Sequence, residues 1–301
     1  MPPKSDNSFV RNNEDPLSPD ESWVFEDFAD MYKRYSLPEK FYELDDYKEV
    51  KRLAAQHKDH TERSMLFDRI VQHIKSWFGE NARVLRASEY DDKKNDTDLI
   101  VEFLDEDGKP VAQLSIDTTV PDDNWETIDD KFTDIVANLK AGRMGRLKYM
   151  PGIKRMTNES GKEGDYLVSL GRRELIPQVI VSLDYKTLAN LCRDIKECRT
   201  KPVPGLIKFH PYQLVMLDNI VKELNIQREI LIRLERARKI NSGQKNIMDQ
   251  KLSQMLDIIS NLIYKKENPL QGRGVVRDDS WYDPVTKRFQ DQASVVSDFI
   301  S

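Results

Sequence analysis

Two β-branched, apolar-rich runs, Asp98-Leu-Ile-Val-Glu-Phe-Leu-Asp105 and Val111-Ala-Gln-Leu-Ser-Ile-Asp-Thr-Thr119, flank Glu106-Asp107-Gly108-Lys109. Asp-Gly between such runs predicts a β-hairpin with a two-residue turn, so that Glu106 faces Lys109. The register then places Asp98 opposite Asp117, Ile100 opposite Ser115 and Glu102 opposite Gln113. Leu99, Val101 and Phe103 meet Ile116, Leu114 and Ala112. Those six are apolar and share one face, as a half-buried sheet requires. A slip of one residue would destroy this segregation.

The same register sets two aspartates on one face at the open end of the hairpin. Like charges at about 5 Å repel by about 3 kcal/mol at an effective dielectric of about 20, and directly opposed like charges destabilise a sheet. Solvent, a cationic side chain or a divalent metal must compensate. Further acids precede the hairpin in Ser88-Glu-Tyr-Asp-Asp92, with Glu89 the third acid of the set and Asp91-Asp92 read as a loop turn. Carboxylates converging at strand ends suit a hard cation, Mg²⁺ or Mn²⁺. Asp and Glu fill 52 of 301 positions, so solvated strand-end acids are the competing reading.

Around the hairpin, the 3.6-residue periodicity of Phe67, Ile70, Val71, Ile74, Trp77 and Phe78 predicts a helix over 61–78, capped by Thr61 and stopped by Gly79. Residues 82–88 read as a strand. A second helix runs to Lys140, with Ile128, Phe132, Ile135, Val136 and Leu139 on one face. Residues 178–183 read as a buried strand, followed by a helix that Asp184 caps and that buries Leu188, Leu191, Cys192 and Ile195. Between them lies a basic connector, 142–173, with one short strand at 146–150. After Pro202 and Pro204 two apolar stripes flank Asn241-Ser-Gly243 and predict an antiparallel helical hairpin. The expected organisation is a disordered arm at 1–20, helical elements at 21–60, an α/β core at 61–200, the hairpin at 205–266 and a loose tail at 267–301.

Composition narrows the function. The net charge of −5 excludes a uniformly basic nucleic-acid coat but not a local basic patch. Cys192 and Cys198 alone cannot form a structural zinc site, and their small number fits a reduced, cytoplasmic protein. No run approaches 18 apolar residues, so no membrane span is expected. Residues 1–7 lack the apolar core of a signal peptide. No Gly-x-Ser-x-Gly elbow, phosphate-binding Gly-rich loop or zinc spacing is present.

The order helix, strand, two hairpin strands, helix, strand is αβββαβ, an α+β arrangement with a mixed central sheet. With an acid before the second strand and another late in the third, residues 61–198 resemble the PD-(D/E)xK nuclease fold. The Tyr-Asp-Asp before the hairpin and the C-terminal helical pair are also similar to nuclease-like proteins of bacterial genomes. The resemblance implies a divalent-metal-dependent nuclease acting on DNA or RNA, with Asp98 and Asp117 as the metal-binding acids and Glu89 supporting them. It departs at Thr119, where the motif carries lysine. In some members that lysine comes from a neighbouring element, and Lys131, at the apolar rim between Ile128 and Ile135, is the local candidate. Arg143, Arg146, Lys148, Lys154 and Arg155 of the connector would meet the phosphate backbone. The alternative is an inactive scaffold that binds a protein partner, or itself, through 211–266.

Overall fold

The structure is a computed structural model that describes residues 16–29, 37, 39–56, 61–121, 126–157, 163–200 and 210–271. Residues 1–15 of the predicted arm and the predicted tail beyond 271 lie outside the described residues; within those two segments, Ser18 caps a helix that starts at Pro19, and the last helix runs on to Gln271, so neither 18–20 nor 267–271 is loose chain. In chain order the elements are α1 (Pro19–Asp27), a 3-10 turn (Glu39–Phe41), α2 (Leu44–Gln56), α3 (Glu62–His73), a second 3-10 turn (Lys75–Phe78), β1 (Ala82–Arg86), α4 (Glu89–Asn95), β2 (Leu99–Leu104), β3 (Pro110–Thr119), α5 (Glu126–Lys140), β4 (Gly145–Leu147), β5 (Pro151–Thr157), β6 (Glu163–Ser169), β7 (Arg173–Ile176), β8 (Gln178–Ser182), α6 (Tyr185–Thr200), α7 (Tyr212–Arg236) and α8 (Ser242–Gln271). The chain is mixed α+β. Its main sheet has the order β1-β2-β3-β8, antiparallel from β1 to β3 and parallel between β3 and β8.

The hairpin register agrees with the apolar pattern: Leu99 pairs Ile116, Ile100 pairs Ser115, Glu102 pairs Gln113 and Phe103 pairs Ala112. The turn differs. The Gly108 N–H donates to the Asp105 carbonyl (3.0 Å) and the Asp105 N–H to the Lys109 carbonyl (2.9 Å), giving a three-residue loop in which Gly108 takes φ +74°. That shifts the register by one residue, and an irregularity beyond Leu104, which pairs with Pro110, shifts it back. Two local departures cancel because the buried face tolerates only one register.

One apolar cluster runs from Val24 and Phe28 through the sheet to Met255 and Ile259, so the N-terminal helices, sheet and C-terminal helices share a core. The helix expected over 61–78 breaks at Ile74 and continues as the 3-10 turn, yet Ile74, Trp77 and Phe78 remain buried. Helices α7 and α8 are antiparallel: Arg228 pairs with Asp249 (2.7 Å) and Lys266 with Gln213 (2.7 Å), so residue numbers rise on one helix as they fall on the other. Their stripes, including Leu217, Ile220, Leu224, Met248, Leu252 and Ile259, are buried.

Helix α7 also covers a sheet edge. The Ile180 N–H on β8 donates to Glu223 Oε2 (2.9 Å), and Gln227 Nε2 donates to the Gln178 carbonyl (2.6 Å). These side chains occupy backbone groups that an open edge would offer to another strand.

The connector at 142–173 is more structured than its composition suggests. β4 pairs with β7, and β5 with β6 in a ribbon that joins Lys154 to Tyr166 and Arg155 to Asp165. Residues 154–157 are exposed, so the ribbon lacks the half-buried alternation by which a strand is recognised. A small second core of Ala87, Ile100, Leu147, Met150 and Ile176 lies under β4 and β7.

Candidate active site at the sheet end

The register carries Asp98 and Asp117 to the end of β2 and β3. The Asp98 N–H donates to the Ile116 carbonyl (3.0 Å), one residue out of step with the Leu99–Ile116 pair at which the regular ladder ends. Asp98 Oδ2 accepts the Thr118 N–H (2.7 Å) and lies 3.0 Å from the Thr118 hydroxyl. Both carboxylates are almost fully buried.

Lys131 reaches them from α5. Ile128, Phe132 and Ile135 bury one face of that helix, which sets Lys131 at the rim of the face turned to the sheet. Its ammonium contacts Asp117 Oδ1 and lies 3.5 Å from the Thr118 carbonyl. Its side chain keeps 23% of its exposure while that of Asp117 keeps 3%. The other Asp117 oxygen, Oδ2, is buried and has no hydrogen-bond partner. An oxygen on a buried carboxylate without a protein partner is costly unless water, a proton or an ion meets it.

The electrostatics follow from burial. Desolvation pushes the Asp117 carboxyl well above the ordinary carboxylate range; Lys131 opposes the shift, and Asp98 and Asp96 add to it. Burial alone would lower Lys131, but Asp117, Asp98 and Asp96 outweigh it and hold the ammonium above its ordinary value.

Glu89 does not join this group. Ser88 caps α4, accepting the Asp91 N–H (3.0 Å), so the segment expected as a loop turn is helical. Glu89 enters the first turn of that helix, where its N–H donates to the Tyr42 hydroxyl (2.8 Å). The third acid whose charge reaches both Asp117 and Lys131 is Asp96, at the left-handed cap of α4.

Sequence reasoning also missed Asp68 and Thr118. Asp68 lies on α3 beside the buried Phe67, is itself 4% exposed, and contacts the Thr118 hydroxyl. Thr118 has one hydroxyl proton, so it donates to Asp68 or Asp98 at any moment. The available signal was a charged residue within the apolar face of a helix. At the β8 edge, burial pushes Glu223 well above the carboxylate range, and the charge of Asp117 adds to that shift.

The connector cations divide into two groups. Lys148 is neutralised by Glu43 (2.9 Å) and Asp46. Among the described residues, Arg143 and Arg146 meet the neutral side chains of Asn138 (3.4 Å) and Asn95 (3.1 Å). Lys154 and Arg155 lie on the exposed ribbon. Among the described residues, no group of three or more His, Cys, Asp or Glu side chains is arranged to hold a metal ion, and no helix is long and apolar enough to cross a membrane. No family model, curated protein or solved structure matches the chain.

Proposed function

We propose that the chain is a divalent-metal-dependent nuclease of the PD-(D/E)xK type, hydrolysing phosphodiester bonds of DNA or RNA. The observation that carries this reading is the buried Asp117, bound through one oxygen to Lys131, without a protein partner at the other, and next in the chain to Thr118, whose N–H is held by Asp98. The sheet order and the parallel β3–β8 pair support the same reading.

The donor set fits Mg²⁺ or Mn²⁺. These ions take oxygen ligands and are often held by only one or two carboxylates, with water and substrate phosphate completing the shell. Asp117 Oδ2 would be one protein ligand and Asp98 the other, its Oδ2 steadied by Thr118. The bound ion would lower the pKa of attacking water and offset charge on the phosphate.

The chain's own residues supply orientation and charge. Lys131, held protonated by its acidic neighbours, presents a fixed cation where negative charge grows during attack. It does the work of the motif lysine from the next helix, with Thr119 in the usual position. Thr118 fixes the first acid through backbone and hydroxyl together. Arg143, Arg146, Lys154 and Arg155 are the cations that would follow a phosphate backbone.

Calorimetric titration with Mn²⁺ of wild type, Asp98→Asn and Asp117→Asn tests the reading without a guess about substrate. Defined binding to wild type that either substitution removes is expected, followed by metal-dependent cleavage of mixed DNA and RNA. Equal behaviour of all three proteins would sink the nuclease reading. Partners of the 211–266 hairpin would then be the next target.

A further inference from the structure

A cavity of about 210 Å³ is lined by Tyr90, Asn95, Arg146, Leu147, Lys148 and Arg172. Its wall is built from the inside. Asp91, fully buried, accepts a bond from Asn95 Nδ2 (2.7 Å), and Asn95 Oδ1 accepts the Arg146 Nε–H (3.1 Å). The same carboxylate takes the backbone N–H groups of Lys148 (2.7 Å) and Tyr149 (3.0 Å). Gln178 Nε2 ties the Asn95 and Asp96 carbonyls (3.4 and 2.8 Å) to the first residue of β8. Arg146 is thus oriented through Nε by a neutral partner, which leaves its charge and its two terminal nitrogens for a ligand. Arg172 adds a second guanidinium, held only by the exposed Glu174 (3.0 Å). Lys148 contributes little charge because Glu43 and Asp46 neutralise it.

We propose that this cavity holds one unpaired nucleotide of the substrate strand, its phosphate against Arg146 and Arg172 and its base against the Tyr90 ring. The inference rests on the nuclease reading and gives it a substrate class: nucleic acid that is single-stranded next to the cleaved bond. Paired guanidiniums match phosphate geometry. The half-buried Tyr90 ring on the same wall, met by Tyr149 edge-on and by the Lys148 ammonium at 5.6 Å, offers a stacking platform, which a base held in a duplex cannot use. The chain links the cavity to the acids through Asn95. Asn95 and Asp98 are three residues apart, at most about 10–11 Å of chain, so a nucleotide there lies within one or two positions of a phosphate at Asp98 and Asp117.

The test is fluorescence anisotropy of the full chain in EDTA with labelled 12-nucleotide single-stranded DNA and RNA, and with the DNA duplex. One of the single strands is expected to bind at least about tenfold tighter than the duplex. Arg146→Ala should weaken that binding about tenfold and flatten its salt dependence by about 0.7 in log–log slope, the loss of one phosphate contact. Tyr90→Leu should weaken single-strand binding and leave duplex binding unchanged. Lys109→Ala, at the far hairpin tip, is the control and should change nothing. Equal affinity for strand and duplex, or an Arg146→Ala protein that binds like wild type, would overturn the proposal. EDTA separates the two readings: failed Mn²⁺ binding sinks the nuclease and leaves this result standing, whereas lost Arg146 dependence sinks the cavity and leaves Asp117 to be judged by cleavage.

Discussion

Asp91 and Asp117 are both buried aspartates at the same end of the main sheet, and their surroundings are opposite. Asp91 receives bonds from the Ser88 hydroxyl (2.7 Å), Asn95 and two backbone N–H groups. Both its oxygens are occupied, and its work is to pin β4 and the cavity wall onto α4. Asp117 has one cationic partner and one oxygen without a protein partner. A satisfied buried acid is a structural joint; one short of protein partners is where the proposed metal would bind. Burial alone did not separate the two, and counting partners did.

The largest expected effect sharpens that contrast. Asp117→Asn should reduce metal-dependent cleavage by about a thousandfold, the order of several kcal/mol that a metal supplies to a transition state. Its urea midpoint should stay at or above that of wild type, because a buried charge is removed. Unfolding and cleavage measured on the same preparation check both halves.

Asp91→Ala should do the reverse. It strands two backbone donors and a hydroxyl, each costing about 1 kcal/mol or more. A stability loss of about 3 kcal/mol in urea unfolding is expected. A loss below about 1 kcal/mol would break the contrast with Asp117.

Lys131→Met comes next, with a stability loss of about 2 kcal/mol near pH 8. It removes the cation that opposes the upward shift of Asp117. An acid with a folded pKa above its unfolded value stabilises the fold less as pH rises past the unfolded pKa. The variant should therefore lose stability more steeply than wild type above about pH 4, the unfolded carboxylate range. Urea titrations at pH 4, 6 and 8 would show this, and parallel curves for the two proteins would contradict it.

Glu223→Gln should have the smallest effect, within about 1 kcal/mol, because an amide oxygen can still accept the Ile180 N–H. Glu223 is shifted upward by burial, so its contribution falls as pH rises past the unfolded value, and glutamine removes that dependence. The variant should gain on wild type from pH 5 to pH 8. A constant difference would mean that Glu223 does not titrate in that range.

Much of the site could be read along the chain, for identifiable reasons. The hairpin register from Leu99–Ile116 to Phe103–Ala112 followed from six apolar residues that had to share a face. Lys131 followed from its place at the rim of a helical stripe. The Glu89 assignment went astray because Ser88 was not recognised as a helix cap, and the cap turned a supposed loop into α4. The β5–β6 ribbon was missed because both its faces are polar enough to hide the two-residue period.

The sequence by itself determined the periodic faces and, through them, the hairpin register and the buried sides of α3, α5, α7 and α8. Such patterns act over neighbouring residues, where the repeat of a strand or helix dictates which side chains are apolar. Only the tertiary structure decided which buried acids are satisfied. The Asp68–Thr118 contact spans 50 residues, Ile180–Glu223 spans 43 and Asp91–Tyr149 spans 58. Hydrogen-bond satisfaction depends on distances of about 3 Å between atoms that chain order does not bring together. For that reason the Asp117 oxygen without a protein partner became visible only in the folded chain.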